Sequence, residues 1–142
     1  MEKSFLWKTT FLTRLQTHEN AEPLRIAALH GQLRDWTQAL TGVVVATCQD
    51  MGWLAAAKGH PLPHLPEVRE EYLTLDVTAF DPTPTQPQVW PFPIAIFELE
   101  NSPNDARIAY SLWKVLCVRA ALRVVFCYRR HSEQAAPLVR TL

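Results

Sequence analysis

Two glutamates interrupt an otherwise apolar stretch late in the chain, and they are the residues best suited to chemistry. The segment from Ile94 to Glu100 reads Ile-Ala-Ile-Phe-Glu-Leu-Glu, a pattern typical of a buried strand. Alternate side chains of a strand share a face, so Glu98 and Glu100 lie on one side with Cα atoms roughly 7 Å apart. Buried carboxylates at that spacing repel each other and lose hydration, and a divalent cation such as Mg²⁺, which prefers oxygen ligands, removes that cost. The sequence therefore predicts a metal site in this strand.

A further acidic residue is expected on the neighbouring strand. Apolar side chains alternate over residues 72–80, which predicts a strand that carries Asp76. Five prolines between positions 82 and 93 exclude a crossover helix from the connection to the Glu98 strand. The two strands should therefore pair antiparallel as a hairpin, with an acid on each.

The region after the hairpin predicts a helix and then a parallel strand. Ser102 or Asn104 is suited to cap a helix over about residues 104–120, and an apolar strand is expected over 122–128. Strand, helix and strand in so short a stretch form a βαβ unit, whose second strand runs parallel to the first.

Length and composition indicate one domain. The chain has 142 residues, 48% apolar and 20% charged, with helices predicted at about 4–16, briefly after Pro23, and at 33–51. We therefore expect one α/β domain over 1–142, with N-terminal helices at about 4–51 and a core at about 67–130. The tryptophans are interpreted as core or domain-edge packing: Trp36, Trp53, Trp90 and Trp113.

Three cysteines without metal-site spacing predict buried thiols in a reducing compartment. No run approaches the roughly 20 apolar residues of a membrane span, and the first residues lack a signal-peptide pattern. We therefore expect a cytoplasmic protein without a membrane partner. No glycine-rich phosphate loop and no nucleophile elbow occur in the sequence.

Charge is distributed unevenly although the net charge is zero. Residues 67–104 contain seven acidic and one basic side chain, whereas residues 105–142 contain seven basic and two acidic ones. An acidic centre followed by a basic flank suits a metal site that acts on a polyanion. The alternative is that these groups are solvated surface charges that pair with one another.

Taken in order, these elements and acids resemble the core of the PD-(D/E)xK nuclease superfamily, the restriction-endonuclease-like fold. In that family an Asp on one hairpin strand and an acid-x-Lys triplet on the next bind Mg²⁺, often with a Glu from the preceding helix. The resemblance covers roughly residues 70–128. It implies an α/β fold whose mixed β-sheet has αβββαβ-type order and is flanked by helices.

The resemblance assigns roles residue by residue. Asp76 corresponds to the strand Asp and Glu98 to the acid of the triplet, while Glu100 stands where the family usually has Lys. Some members resembling this pattern use Glu there, and others carry the Lys on the following helix, which is the role that Lys114 would take. Glu71 is the substitute for the missing helix Glu, and Asp81 is a runner-up to Asp76.

The implied activity is phosphodiester hydrolysis with Mg²⁺ or Mn²⁺ as cofactor. The metal ligands would be Asp76, Glu98 and Glu71, and either Glu100 or Lys114 would orient the attacking water. Lys114 would also stabilise charge on the transition state. The residues expected to contact phosphates are Arg107, Arg123 and Arg129. The expected partner is nucleic acid, with DNA ahead of RNA.

Two other functions fit the same pattern. One is a catalytically inactive nuclease-like domain that binds protein or nucleic acid as an accessory subunit, or as a homodimer. Such a subunit should expose apolar area on the first helix, which is rich in large apolar residues: Phe5, Leu6, Trp7, Phe11 and Leu12. The other is a metal-stabilised α/β protein with no polyanion partner.

Overall fold

Four strands form one mixed sheet with helices against both faces. The structure is a computed structural model and describes residues 2–67, 69–83 and 89–141. The strands lie in sequence order, with β1 and β2 antiparallel, β2 and β3 antiparallel, and β3 and β4 parallel. Their bounds are β1 Leu54–Ala57, β2 Val77–Phe80, β3 Ala95–Glu100 and β4 Leu122–Cys127. The predicted antiparallel hairpin and the parallel partner strand are both confirmed.

Three helices precede the sheet and one long helix lies between its last two strands. The α-helices in the described part of the chain are α1 Glu2–Leu15, α2 His18–Leu29, α3 Leu33–Asp50, α4 Asp105–Leu116 and α5 Ala135–Thr141. Short 3-10 helices are formed by Tyr72–Thr74 and Ser132–Gln134. From α3 to β4 the element order is therefore α, β, β, β, α, β, and the predicted α/β class with a mixed sheet is confirmed.

The alternation along β3 separates two layers of core. Phe97 is fully buried and its ring lies 4.9 Å from that of Trp7, on the face that α1 and α3 cover. Ile96, also fully buried, packs on the other face with Leu75 and with Val115 of α4. Even-numbered side chains of β3 thus point toward α4, which places Glu98 and Glu100 on the α4 side as the sequence predicted.

Helix α4 begins at the second of the two predicted caps. The side-chain oxygen of Asn104 accepts hydrogen bonds from the backbone N–H groups of Ala106 at 2.8 Å and Arg107 at 3.4 Å. The helix ends at Leu116, earlier than the predicted end near residue 120. The guanidinium of Arg123 donates to carbonyls at this end, which satisfies groups that the helix leaves without partners.

The predicted strand over residues 72–80 is wrong in its first half. Residues Tyr72–Thr74 form a 3-10 helix in which Leu73 and Thr74 have φ values of 56° and 57°. A left-handed backbone is rare for residues other than glycine, and hydrophobic alternation does not indicate it. The ring of Tyr72 packs edge-on against the ring of Phe80, with the ring centroids 5.5 Å apart. Asp76 consequently lies just before β2 rather than inside a strand.

Other elements were missed or shifted. β1 consists largely of alanine, which has low strand propensity, so nothing in the sequence predicted it. Helix α2 begins at His18, ahead of Pro23, and α5 was not predicted. Residues 84–88 of the predicted proline-rich connection lie outside the described part of the chain. The packing interpretation holds for Trp36 and Trp53, which are buried, and is wrong for Trp90 and Trp113, which are exposed.

The buried face toward α4 gives a test of the fold. We expect Ile96→Val to lower the free energy of unfolding by about 0.5–1.5 kcal/mol, because it removes a methylene from a fully buried contact. The matched change Ile26→Val, at a residue 41% exposed on α2, should alter it by less than about 0.5 kcal/mol. Urea unfolding of both variants measures the difference. Equal effects at the two positions would contradict the assigned core.

Candidate active site

Asp76 and Glu98 face each other across β2 and β3. The antiparallel register pairs Val77 with Phe97, and one step further along it Asp76 stands opposite Glu98. Directly opposed side chains have Cβ atoms about 5 Å apart. Asp76 is fixed in this position because its Oδ2 accepts a hydrogen bond from the backbone N–H of Leu99 at 2.7 Å. The fold thus brings together the two carboxylates that the sequence predicted as metal ligands.

Lys114 supplies a positive charge to this carboxylate pair. The Glu98 side chain is only 7% exposed, and the Lys114 ammonium lies 2.5 Å from its Oε1. That oxygen has no aligned hydrogen-bond donor among the described residues, so the contact with Lys114 is an ion pair only. The same ammonium donates to the carbonyl oxygen of Thr74 at 2.5 Å. Lys114 therefore connects α4 both to β3 and to the left-handed turn before β2.

Burial and the neighbouring acid change the protonation of Glu98. Loss of hydration is the largest cause, and together with the adjacent Asp76 carboxyl it raises the pKa of Glu98 to about 8, against the opposing effect of Lys114. The pair consequently retains a proton at neutral pH when Lys114 is its sole cation. A site in which two acids compete for too little positive charge suits a divalent cation.

The residues present fit a metal held by two carboxylates. In the described ranges, no group of three or more His, Cys, Asp and Glu side chains is arranged to hold a metal ion. Glu71 is exposed at the start of the 3-10 helix, where its carbonyl oxygen accepts from Thr74. Mg²⁺ is commonly bound by one or two carboxylates, with water and substrate phosphates completing its shell. Asp76 and Glu98 meet that requirement without a third acid.

Glu100 and Asp81 are engaged in local structure. Glu100 lies on the same face as Glu98, but its Oε1 accepts from the backbone N–H of Ser102 at 3.0 Å and its Oε2 accepts from Ser111 at 3.1 Å. These bonds fix the connection from β3 to α4. The Asp81 carboxylate accepts from the Thr83 backbone N–H at 2.9 Å, as expected of an Asp in a turn.

The three arginines predicted to contact phosphates differ in their surroundings. Arg123 donates to the carbonyl oxygens of Val115 and Val118 at the end of α4. Arg129 donates to Asp105 at 3.3 Å and to the carbonyl of the preceding residue. The guanidinium of Arg107 is exposed and has no partner within the described ranges. Of the three, Arg107 has the side chain available to an anion.

Sequence reasoning missed one polar residue beside the site. Thr78 is fully buried, pairs with Ile96 in the sheet register, and lies two residues after Asp76. Its hydroxyl has no hydrogen-bond partner among the described residues. The sequence signal that could have found it is a threonine two residues after Asp76, on the same face of an extended segment.

Comparison with protein-family models, with curated proteins and with solved structures gave no match. None of the helices in the described ranges combines the length and apolar character needed to cross a bilayer. The function therefore has to be inferred from the chemistry of the site.

Glu98 should make stability depend on pH. Its pKa in the folded protein, about 8, lies above the ordinary value of 4.5, so the folded state holds a proton that the unfolded chain releases within this interval. Stability is then highest below the ordinary pKa and falls as pH rises toward the folded value. We expect the wild-type free energy of unfolding to fall by up to about 1.4 kcal/mol per pH unit relative to Glu98→Gln.

Urea unfolding in a chelator at several pH values between 5 and 8 measures this difference. Glu133→Gln removes an exposed carboxylate near the C-terminus and should keep the wild-type slope. A Glu98→Gln slope identical to that of the wild type would contradict the described environment of Glu98.

Proposed function

We propose that this chain is a metal-dependent nuclease of the PD-(D/E)xK type, which hydrolyses phosphodiester bonds of nucleic acid. One observation carries the proposal: Asp76, just before β2, adjoins Glu98 on β3, with the Lys114 ammonium 2.5 Å from Glu98. Two acids and a lysine are the residue types that the family uses. The position of the lysine on α4 corresponds to members in which the lysine follows on the next helix.

The arrangement of the elements supports the same proposal. Glu98 lies on one strand of an antiparallel hairpin and Asp76 directly precedes the other, and the next helix returns the chain to a parallel strand. This is the αβββαβ-type order that the resemblance implies. An active site formed at such a hairpin combines rigid strands with a helix, which holds the reacting groups in fixed positions.

In this proposal Asp76 and Glu98 hold Mg²⁺ or Mn²⁺. The metal, when bound, would polarise the scissile phosphate and lower the pKa of a coordinated water. The Leu99 N–H fixes the Asp76 carboxylate, so this ligand is already oriented in the free protein. Glu98 provides the second carboxylate from inside the sheet, where little water competes for its charge.

Lys114 is better placed than Glu100 to orient the attacking water, the role for which the two were alternatives, and it also suits the stabilisation of charge on the phosphate. Its side chain is 23% exposed, so the ammonium touches Glu98 while remaining within reach of a bound anion. Both oxygens of Glu100 already accept hydrogen bonds from the Ser102 backbone and Ser111. We therefore assign Glu100 to positioning α4, and through it Lys114, and we assign Lys114 to charge on the phosphate.

The remaining parts of the proposal concern the partner and the compartment. Arg107, on the exposed side of α4, would contact a phosphate and make binding dependent on salt. DNA is the expected nucleic acid ahead of RNA. The prediction of three buried thiols holds for Cys48 and is wrong for Cys117, which is exposed, while Cys127 is partly buried. All three are free thiols, as the proposed cytoplasmic compartment requires.

Calorimetric titration of Mn²⁺ tests the metal site. We expect specific binding to the wild type and its loss in both Asp76→Asn and Glu98→Gln, because each variant removes one of two charged ligands. Asp81→Asn, which changes an exposed turn residue of the same type, is the matched control and should bind as the wild type does. Binding that is indifferent to both site variants would overturn the assignment.

Cleavage assays test the chemistry separately. With single- and double-stranded DNA and RNA as substrates, Lys114→Met should retain Mn²⁺ binding and lose at least about 100-fold in rate, since the lost donor acts mainly in the transition state. Circular dichroism of this variant checks that the link from α4 to Thr74 is not needed for folding. Wild-type cleavage rates in a correctly folded Lys114→Met variant would remove Lys114 from the mechanism.

One observation favours a second candidate, the inactive accessory subunit or homodimer. Three large apolar residues of α1 are exposed: Phe5 at 72%, Leu6 at 53% and Leu12 at 40%. Their neighbours Trp7 and Phe11 are buried, so the apolar excess of this helix is divided between core and surface. Sedimentation at micromolar concentration should then detect a dimer that Phe5→Ser with Leu6→Ser dissociates. A wild type that remains monomeric would count against the homodimer.

A further inference from the structure

Helix α4 exposes aromatic side chains beside the carboxylate pair. Its inward face consists of Ile108, Ser111 and Val115, which are buried against the sheet. Tyr110 and Trp113 are each 64% exposed on the outward side. A helix that covers one sheet face normally presents polar residues to water, so these two rings are not explained by packing within the domain.

Helical spacing places the rings next to the proposed catalytic lysine. Tyr110 and Lys114 are four residues apart, and Tyr110 and Trp113 are three apart, so each pair forms neighbours on the helix surface. Lys114 lies at the border between the two faces, with its ammonium on Glu98. A molecule that contacts the rings thus lies within one helical turn of the lysine that touches the proposed metal ligand.

The charges on this face favour an anionic partner. Arg107 lies three residues before Tyr110, and its guanidinium has no partner within the described ranges. The acid on α4 is Asp105, which is paired with Arg129. The exposed rings therefore lie beside the unpaired positive charge of Arg107, whereas Lys114 at their other border is already in contact with Glu98.

Single-stranded nucleic acid has the matching chemistry. Its bases have free faces that stack on aromatic side chains, and its phosphates lie close to those bases. In a duplex the same base faces are already covered by neighbouring base pairs, so the aromatic rings of α4 could not stack on them without separating those base pairs. A protein partner would match the apolar rings but would leave the adjacent positive charges unexplained.

We propose that the strand acted on at Asp76 and Glu98 is single-stranded nucleic acid, bound on α4 by stacking of its bases on Tyr110 and Trp113 and by a phosphate contact from Arg107. The inference deepens the proposed nuclease function and rests on it for cleavage. Its binding part is independent of metal and can be measured without any reaction.

Fluorescence anisotropy with a labelled oligothymidylate, in a chelator that prevents cleavage, tests the binding. The wild type should prefer the single strand to a duplex of the same length. Tyr110→Ala and Trp113→Ala should each weaken single-strand binding by about 5- to 150-fold, the range that stacking on one base contributes. Arg107→Ala should reduce the slope of log affinity against log salt by about 0.7, the value for one phosphate of a single strand.

Phe5→Ala is the matched control, because Phe5 is a ring 72% exposed on α1, on the other face of the sheet. It should leave affinity unchanged. Asp76→Asn should also bind the single strand as the wild type does while losing cleavage, which separates the two proposals. Stacking-dependent binding by a wild type that cleaves nothing would support the α4 contact and overturn the nuclease function alone.

Two results would overturn the inference. One is single-strand affinity that Tyr110→Ala and Trp113→Ala both leave unchanged in folded protein. The other is a self-association that Trp113→Ala abolishes without any effect on nucleic-acid binding, since α4 would then be a protein interface.

Discussion

The ion pair between Lys114 and the buried Glu98 is the interaction on which the rest of the site depends. Glu98 lies inside an apolar sheet beside a second acid, and without a cation this arrangement would be strongly unfavourable. Lys114 provides that cation from α4 and also binds the Thr74 carbonyl. One ammonium thus holds together a strand, a helix and a left-handed turn. The position of Asp76 opposite Glu98 follows from where that turn ends and β2 begins.

The two faces of the sheet carry different groups: one packs against the larger apolar core, and the other carries the candidate site. On one face Phe97 and its neighbours pack against α1 and α3 in a large, predominantly apolar layer. On the other face Ile96 makes a small apolar cluster with Leu75 and Val115, and the polar residues Thr78 and Glu98 lie beside it. Buried charge reduces stability unless other contacts offset it, and the larger apolar layer supplies those contacts. The α4 face can therefore carry unfavourable groups that the fold as a whole tolerates.

Predictions from the sequence agree with the structure where local residue patterns determine the backbone. They fail where contacts between residues distant in the sequence determine it. Acids in an apolar strand indicated Glu98, and prolines in the connection indicated the hairpin that brings Asp76 to it. The left-handed turn at Leu73 and Thr74 was not predictable from local pattern, and one of its contacts, the bond from Lys114 to the Thr74 carbonyl, comes from forty residues away. The partners of Ser111 and Lys114 on β3, which are Glu100 and Glu98, follow from the offset between α4 and β3, and no local sequence pattern gives that offset. Exposure of Trp113 was missed because an apolar residue at helical spacing usually faces the core.

Placing the lysine on a helix instead of the strand has a consequence for how the site would work. A lysine two residues after Glu98 would project from β3, and its position would be set by that strand alone. Lys114 belongs instead to the helix that also presents Tyr110 and Trp113. A nucleic-acid strand bound to those rings would therefore lie against the helix that carries the proposed catalytic lysine. Ser111 donates a hydrogen bond to Glu100 at 3.1 Å, which fixes the middle of this helix to β3. In the proposed nuclease, substrate contact, charge stabilisation and alignment with the carboxylates would thereby be combined in one rigid element, and a change in any of them would act on the position of the others.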